Sequence, residues 1–250
     1  MNFRILARLD IKNPFVVKGV HLEGFKRIGD PQQISKRYFD SGADEIHYQD
    51  IVASLYNRNS ILSTVQKVAE TVFIPLTVGG GIRKLEDVDN AMRCGADKIV
   101  INTGAVQNPE LIRIISKKYG AQSIVLGLEI MEIVKNQYSI LIKTGREKTG
   151  LCLNTWIKKA VSLGAGEIYV TSIKKDGTFS GIDLLLLERV RNCTKVPIVI
   201  HGGTASEMDC YEAYKSGADG IAIASLLHYN KITISKIKNY LFQKKVPIRI

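Results

Sequence analysis

Two acidic residues each end a short apolar run that predicts a β-strand. Asp10 ends the run of residues 5–10, and Glu129 ends the run of residues 124–129. Two carboxyl groups that face each other across an apolar floor can acquire separate pKa values, so that one donates a proton while the other accepts one. We therefore take Asp10 and Glu129 as the candidate catalytic pair. An acid at a strand end can instead cap a helix or anchor a loop, and that alternative stays open for each acid taken alone.

Two glycine-rich loops have the composition of phosphate-binding turns. In each, a predicted strand runs into consecutive glycines, and the next predicted strand ends in small or polar residues. Glycine lets the backbone approach a ligand closely, and free N–H groups attract anions. We expect the phosphate-binding residues to be Gly80, Gly81, Asn102, Thr103, Gly202, Gly203, Ala224 and Ser225. One such loop could be a tight turn without a ligand. Two such loops at one mouth of the α/β barrel predicted below indicate a substrate with a phosphate at each end.

Further residues near predicted strand ends extend this candidate site. Lys18 lies on a long predicted loop after the first strand, where it could close over an anionic ligand as a lid or remain a solvated lysine. Acidic, hydroxyl and glycine residues near two other strand ends could line the pocket. We place these residues with the substrate-binding group: Lys18, Asp50, Thr171, Asp176 and Gly177.

Four charged residues stand at the starts of predicted strands one, two, four and six: Arg4, Glu45, Lys98 and Glu167. Charges at the closed end of an apolar barrel need partners, because an unpaired buried charge is costly. From the residues alone, we interpret the four as a structural ring of salt bridges. Function in barrels of this type is built at the opposite end.

Eight β-strand patterns alternate with helical patterns of roughly 10 to 14 residues. The predicted strands are residues 5–10, 45–50, 75–78, 98–102, 124–129, 167–172, 197–200 and 220–224. Eight β-then-α units in 250 residues favour a closed α/β barrel of the (βα)8 or TIM type. An open doubly wound sheet is the alternative, but the chain lacks the glycine-rich first turn typical of that class.

Two local patterns add detail to the barrel. Residues 131–143 alternate between apolar and polar side chains, which predicts a hairpin inserted after the fifth strand. One helix has clear predicted ends, with Asn108 as its N-cap, Pro109 at its first position and Gly120 just beyond its last turn.

The chain repeats itself at an offset of 122 residues, as the difference between Gly80 and Gly202 illustrates. At the same offset, Gly95-Ala96-Asp97 falls on Gly217-Ala218-Asp219, and Asn102-Thr103 falls on Ala224-Ser225. A shift of four βα units predicts two half-barrels, of residues 1–122 and 123–250, within one barrel domain of residues 1–250. A site built in one half should then have a counterpart in the other half.

The composition and charge argue against several classes of function. The net charge is +11, but lysine and arginine are spread along the chain, which argues against a nucleic-acid interface and favours a phosphorylated ligand or an acidic partner. We find no apolar run long enough for a membrane span and no signal peptide. The four scattered cysteines form no metal-like pairs and fit a reducing cytoplasm. We expect a cytoplasmic enzyme without a cofactor or a metal.

The sequence resembles the HisF family along nearly its whole length. The matching segments are Ala7-Arg8-Leu9-Asp10-Ile11-Lys12, Val17-Lys18-Gly19, Phe73-Ile74-Pro75-Leu76-Thr77-Val78-Gly79-Gly80-Gly81-Ile82-Arg83, Gly95-Ala96-Asp97-Lys98, Gly164-Ala165-Gly166-Glu167-Ile168, Asp176-Gly177-Thr178 and Ala224-Ser225-Leu226-Leu227-His228-Tyr229. HisF is the cyclase subunit of imidazole glycerol phosphate synthase. The resemblance implies a lyase of histidine biosynthesis that converts ammonia and a bisphosphorylated ribulosyl-formimino carboxamide ribonucleotide into imidazole glycerol phosphate and an aminoimidazole carboxamide ribonucleotide.

The same resemblance implies a partner. A HisH-type glutaminase would dock on the bottom of the barrel to form a heterodimer, and the ammonia it releases would pass up through the barrel. Under this reading the four charged residues at the bottom become the gate of an ammonia tunnel, which replaces the structural interpretation reached from the residues alone.

Several residues depart from the family pattern, and they cluster at the top of the barrel. Glu129 stands where the family has aspartate, Arg8 where cysteine is usual, Val52 where threonine is usual and His201 where serine is usual. Lys174-Lys175 replaces an Asp-Arg pair. Because the bottom residues match, we expect that ammonia delivery is kept and that the acceptor can differ.

A branch of HisF-like proteins offers a second hypothesis. Its members resemble this chain at Ala7-Arg8-Leu9-Asp10-Ile11-Lys12, Lys18-Gly19-Val20-His21-Leu22-Glu23-Gly24 and Val52-Ala53-Ser54-Leu55-Tyr56. The chain resembles this branch more closely than it resembles the members that act in histidine biosynthesis. They are thought to supply ammonia for making an amidine on an acetamido sugar of a surface polysaccharide such as O-antigen. A third hypothesis, an isomerase of the related HisA type, needs no glutaminase, so the charged bottom ring argues against it.

Overall fold

The computed structural model describes residues 2–53 and 61–250, and its strands and helices alternate along the chain. The strands are β1 (Arg4–Lys12), β2 (Phe15–Val20), β3 (Glu23–Gly29), β4 (Glu45–Asp50), β5 (Leu76–Gly79), β6 (Lys98–Ile101), β7 (Ile124–Val134), β8 (Gln137–Ile142), β9 (Glu147–Lys148), β10 (Glu167–Ser172), β11 (Ile198–His201) and β12 (Gly220–Ile223). The helices are α1 (Pro31–Asp40), α2 (Leu62–Ala69), α3 (Leu85–Arg93), α4 (Thr103–Gln107), α5 (Glu110–Tyr119), α6 (Leu153–Ser162), α7 (Leu184–Arg191), α8 (Glu207–Lys215), α9 (Ser225–His228) and α10 (Ile234–Gln243). Residues 54–56 of one segment quoted above lie outside the described residues.

Eight parallel strands close into a barrel in the order β1, β4, β5, β6, β7, β10, β11, β12 and back to β1. Each of the eight predicted strands is present, and the (βα)8 prediction is confirmed. In this cyclic order β1 lies opposite β7, and β4 lies opposite β10. Asp10 and Glu129 therefore stand on opposite strands.

Two hairpins extend from the top of the barrel. β7 and β8 pair antiparallel around a turn at Lys135-Asn136, so the predicted insertion at residues 131–143 is confirmed. The prediction of a long loop after the first strand is wrong. The chain there forms β2 and β3, which pair with each other, while β2 also pairs with the end of β1. Lys18 consequently lies on a strand.

The core between the barrel and its helices follows from the period-two pattern of the strands. Ile5, Ile46, Ile99 and Ile168 point outward and are fully buried under the helices. Each such side chain stabilises the fold by about 1.5–3 kcal/mol. The helix with predicted ends begins at Glu110, one residue later than expected. Pro109 already has helical angles (φ −59°, ψ −29°), and Gly120 follows the last turn as predicted.

The inward-facing residues stack in layers along the barrel axis, and we call this interior the bore. An apolar group of Leu6, Val100, Val125 and Val199 lies above the strand starts. Polar side chains follow toward the strand ends, among them His47, Tyr169 and Arg8, all buried. The polar top of the bore is where the candidate site is built. No helix within the described part of the chain is long and apolar enough to cross a membrane.

Candidate active site

A cavity at the top of the barrel has a volume of about 270 Å³ and opens beside the first glycine loop. Its wall includes Gly80, Gly81, Asn102, Thr103 and Glu129. Two cations, Arg83 and Lys143, also line it. The structure therefore brings one predicted phosphate loop, one predicted acid and two positive charges to a single cavity.

Glycine is required by geometry at the first loop. Gly80 has φ +100°, and a Cβ atom there would lie 2.3 Å from the carbonyl oxygen of Asp50. The second loop repeats the constraint, because Gly202 has φ +106° and its Cβ would lie 2.6 Å from the carbonyl oxygen of Ser172. In both loops the backbone packs too closely for any side chain.

The strand ends beside the two loops also match. Asn102 has φ −122° and ψ −81°, and Ala224 has φ −123° and ψ −82°. Ala224 and Ser225 line a second cavity together with Gly177, Gly202 and Gly203, but its volume is only about 20 Å³. The two cavities share no lining residue. The expected single mouth between two phosphate loops is thus divided in this structure.

Glu129 lies at the wall of the larger cavity, where a small molecule can reach it although protein atoms surround it. The backbone N–H of Gly145 donates a hydrogen bond of 2.8 Å to Glu129 Oε2. Burial raises the pKa of Glu129 to about 7, and the hydrogen bond from Gly145 and the charge of Arg8 only partly oppose this. A carboxyl group with that pKa can donate or accept a proton near neutrality.

Asp10 is in a different environment. It is fully buried, and Arg8 Nε donates a hydrogen bond of 2.8 Å to Asp10 Oδ1. Burial alone would raise the pKa of Asp10, but the charges of Arg8 and Lys18 lower it below its ordinary value. Asp10 Oδ2 lies 3.5 Å from Lys18 Nζ and accepts no hydrogen bond from any described residue. Asp10 faces inward as predicted, but Arg8 separates it from the cavity wall.

A chain of buried charges links the two cavities. It begins with Arg8 in the wall of the larger cavity and passes through Asp10 to Lys18. Lys18 Nζ lies 2.7 Å from Asp176 Oδ2, and His201 Nε2 lies 3.1 Å from Asp176 Oδ1. His201 and Asp176 line the smaller cavity. Lys18, expected to be a mobile lid, is instead only 1% exposed because its strand fixes it over the bore.

The remaining predicted residues have separate surroundings. Thr171 Oγ1 accepts a hydrogen bond of 3.1 Å from Arg8 Nη1 and lines the larger cavity. Asp50 is not in the wall of either cavity. Its Oδ1 accepts hydrogen bonds from the backbone N–H groups of Val52 and Ala53, so it anchors the loop after β4. The loop-anchor alternative raised for the acids therefore fits Asp50.

Sequence reasoning gave no site role to several polar groups of the bore: Arg8, His47, Gln49, Tyr169 and His201. A signal for them was present in the alternation of the strands. Arg8 is two residues from Asp10, and His47 is two residues from Glu45, so each must point inward with its neighbour. Within residues 2–53 and 61–250, no group of three or more His, Cys, Asp or Glu side chains could hold a metal ion.

The four charged residues at the bottom form a closed ring. Arg4 contacts both glutamates, with a distance of 2.8 Å between Arg4 Nη1 and Glu45 Oε2 and a hydrogen bond from Nη2 to Glu167. Lys98 Nζ lies 2.9 Å from Glu45 and 2.8 Å from Glu167. Opposite charges therefore alternate around the lower opening of the bore.

Comparison with known proteins identifies the family to which the chain belongs. Residues 4–233 match the family described as Histidine biosynthesis protein. The relatives include proteins named imidazole glycerol phosphate synthase subunit HisF, of which three are described below. The relative from Pyrobaculum aerophilum is 42% identical over 249 residues, covering 99% of this chain and 98% of its own length. That from Helicobacter hepaticus is 43% identical over 247 residues (99% and 98%), and that from Legionella pneumophila is 46% identical over 202 residues (81% and 95%). The chain therefore belongs to the HisF family of histidine biosynthesis proteins.

Proposed function

We propose that this chain is the cyclase subunit of an imidazole glycerol phosphate synthase, a lyase. It uses ammonia to convert the bisphosphorylated ribulosyl-formimino carboxamide ribonucleotide into imidazole glycerol phosphate and an aminoimidazole carboxamide ribonucleotide. The observation that carries the proposal is the position of Glu129 in the same cavity as the first glycine loop. A proton-transfer group and an anion-binding loop must lie together if a phosphorylated substrate is to react there.

The first phosphate binds at Gly81, Asn102 and Thr103 in this proposal. The backbone there is close to the cavity, and Arg83 and Lys143 supply positive charge at its wall. Phosphate attracts both backbone N–H groups and cations. This end of the substrate is thereby fixed relative to Glu129.

Glu129 and Asp10 have different tasks. Addition of ammonia to a carbonyl carbon requires a proton on the oxygen that leaves as water, and a carboxyl group with a pKa of about 7 can supply it. Asp10 stays ionised because of Arg8 and Lys18, and it holds the guanidinium of Arg8 at the wall of the cavity. Glu129 thus transfers the proton, and Asp10 positions the cation beside it.

The second phosphate binds at the counterpart loop of Gly202, Gly203, Ala224 and Ser225. A cavity of about 20 Å³ is too small for a phosphate group, so binding requires the residues around it to move, including Asp176 and its ion-pair partner Lys18. Lys18 would then exchange Asp176 for the phosphate. The 122-residue repeat and the matched angles of Asn102 and Ala224 support two anion sites in two half-barrels.

Ammonia comes from a HisH-type glutaminase at the bottom of the barrel. The ring of Arg4, Glu45, Lys98 and Glu167 surrounds the lower opening of the bore, which makes it the gate on the path from that partner. The fully buried side chains of the bore shield the path from water.

The decisive assay mixes the purified protein, an ammonium salt and the bisphosphorylated precursor, and measures imidazole glycerol phosphate. We expect turnover that depends on both substrates. A folded protein that forms no product would overturn the cyclase proposal and favour delivery of ammonia to an acetamido sugar. Recovery of turnover in Glu129→Asp would then identify the extra methylene of Glu129 as the cause.

A further inference from the structure

Two aromatic rings meet across the bore between the bottom ring and the larger cavity. β4 and β10 lie on opposite sides of the barrel, and they carry His47 and Tyr169. The centroids of the two rings are 4.2 Å apart, with an angle of 35° between their planes. Tyr169 lines the cavity above. The pair therefore lies in the bore between the charged ring and the cavity, beside the direct line from one to the other.

His47 presents an unused acceptor at this point. It is fully buried, and its Nε2 lies 3.4 Å from Gln49 Oε1. A carbonyl oxygen only accepts, so the Nε2 atom carries the hydrogen and Nδ1 is left as an acceptor. His47 Nδ1 has no hydrogen-bond partner among residues 2–53 and 61–250. A buried acceptor without a hydrogen bond costs free energy. A small molecule that enters the bore and donates a hydrogen bond therefore binds at His47 Nδ1.

The residues around His47 favour a neutral small molecule over an ion. Arg8 lies beside the pair, in register with His47 on the neighbouring strand and with its guanidinium carbon 5.6 Å from the centre of the Tyr169 ring, and it repels cations. Leu6, Val125 and Val199 form an apolar layer of the bore, where an ion would lose its hydration. Burial, followed by the charge of Arg8, keeps the pKa of His47 well below its ordinary value, so the imidazole is neutral.

We propose that His47 and Tyr169 form an inner gate and a relay site for ammonia, with His47 Nδ1 accepting a hydrogen bond from the neutral molecule as it passes. The proposal rests on the proposed function, which brings ammonia through the bore. It adds a second gate above the charged ring and names His47 as the group that holds ammonia at this second gate.

The kinetic test uses the complex with its glutaminase and compares two nitrogen sources. His47→Phe keeps an aromatic ring against Tyr169 and removes the acceptor, and His47→Asn restores an acceptor. We expect His47→Phe to lower glutamine-dependent turnover by about tenfold, the effect of losing one hydrogen bond on the path. Turnover with added ammonium should stay within about twofold, because ammonia then enters from the cavity. His47→Asn should recover part of the loss.

A second test needs no turnover and no variant. The chain has four histidines, so protein labelled with ¹⁵N-histidine can be titrated with ammonium chloride near the pKa of ammonium, where neutral ammonia is abundant. Tetramethylammonium chloride at the same concentration controls for ionic strength. We expect the Nδ1 resonance of His47 to move in a saturable way, while those of His21 and His228 stay in place.

The outcomes separate the two proposals. If wild-type protein shows no turnover with either nitrogen source, the proposed function fails, and the titration alone decides the relay site. If turnover is present but His47→Phe lowers both nitrogen-dependent rates equally, or the His47 resonance does not respond, the relay proposal is overturned.

Discussion

Arg8 and Asp10 lie two residues apart on β1, and their side chains pair inside the bore, with Arg8 Nε 2.8 Å from Asp10 Oδ1. The alternation of the strand directs both side chains inward, so the pair follows from local geometry. Its effect is chemical. A carboxylate held by a buried guanidinium stays ionised, and proton transfer at the cavity passes to Glu129.

Removing Arg8 should destabilise the fold. In Arg8→Met, Asp10 loses its hydrogen-bonded guanidinium and keeps the ion pair with Lys18 at 3.5 Å, which leaves its charge poorly compensated. We expect a loss of about 3–5 kcal/mol in the free energy of unfolding, measured by urea denaturation. Adding Asp10→Asn to Arg8→Met should recover part of the loss. Equal stability of Arg8→Met and the wild type would contradict this picture of the pair.

Glu129 should make stability depend on pH. Its pKa in the folded protein, about 7, lies above the ordinary value of 4.5. The folded state therefore holds a proton that the unfolded state releases, and the stabilisation is lost as pH rises from about 4.5 to about 7. Between pH 5 and pH 8, we expect wild-type protein to lose about 1–3 kcal/mol more than Glu129→Gln, allowing for partial solvent access. Parallel pH curves for the two proteins would count against the raised pKa.

Glu129 should also govern the rate. We expect Glu129→Gln to lower kcat by about a hundredfold or more, because a positioned proton donor typically contributes that factor. With the concentration of neutral ammonia held constant, wild-type kcat should fall as pH rises through about 7, where Glu129 loses its proton. Steady-state rates across this range provide the check. A flat profile would assign the proton to another group.

The first glycine loop should bind phosphate before the second. Inorganic phosphate should shift the amide resonances of Gly81 and Thr103 at lower concentration than those of Gly203 and Ser225, because only the first loop opens into a cavity of useful size. Gly80→Ala should abolish the first set of shifts, since a Cβ there would meet Asp50. Gly202→Ala, its counterpart, is the matched control and should spare them. Simultaneous saturation of both loops would argue against the divided mouth.

The barrel could be predicted from the sequence because its strands and glycine turns are local patterns. Gly80 and Gly202 mark positions where the backbone allows no side chain, and the 122-residue offset points from one to the other. The inward direction of Asp10 and Glu129 followed from strand alternation.

The separation of the barrel mouth into two cavities could not be predicted from the sequence. It depends on Lys18 reaching Asp176 across 158 residues, which is a contact between two elements whose packing no local pattern encodes. The position of Lys18 on β2 was missed because the turn before it was taken for part of a long loop. Asp50 was misplaced because a strand-end acid can serve a cavity or a neighbouring loop equally well.

The most direct measurement is a crystal structure of the protein with the bisphosphorylated precursor bound in the absence of ammonia. We expect one phosphate at Gly81, Asn102 and Thr103, the other at Gly203 and Ser225, and the reacting carbonyl within hydrogen-bond distance of Glu129. Density for the precursor outside the barrel mouth, or a carbonyl oriented away from Glu129, would contradict the proposed active site.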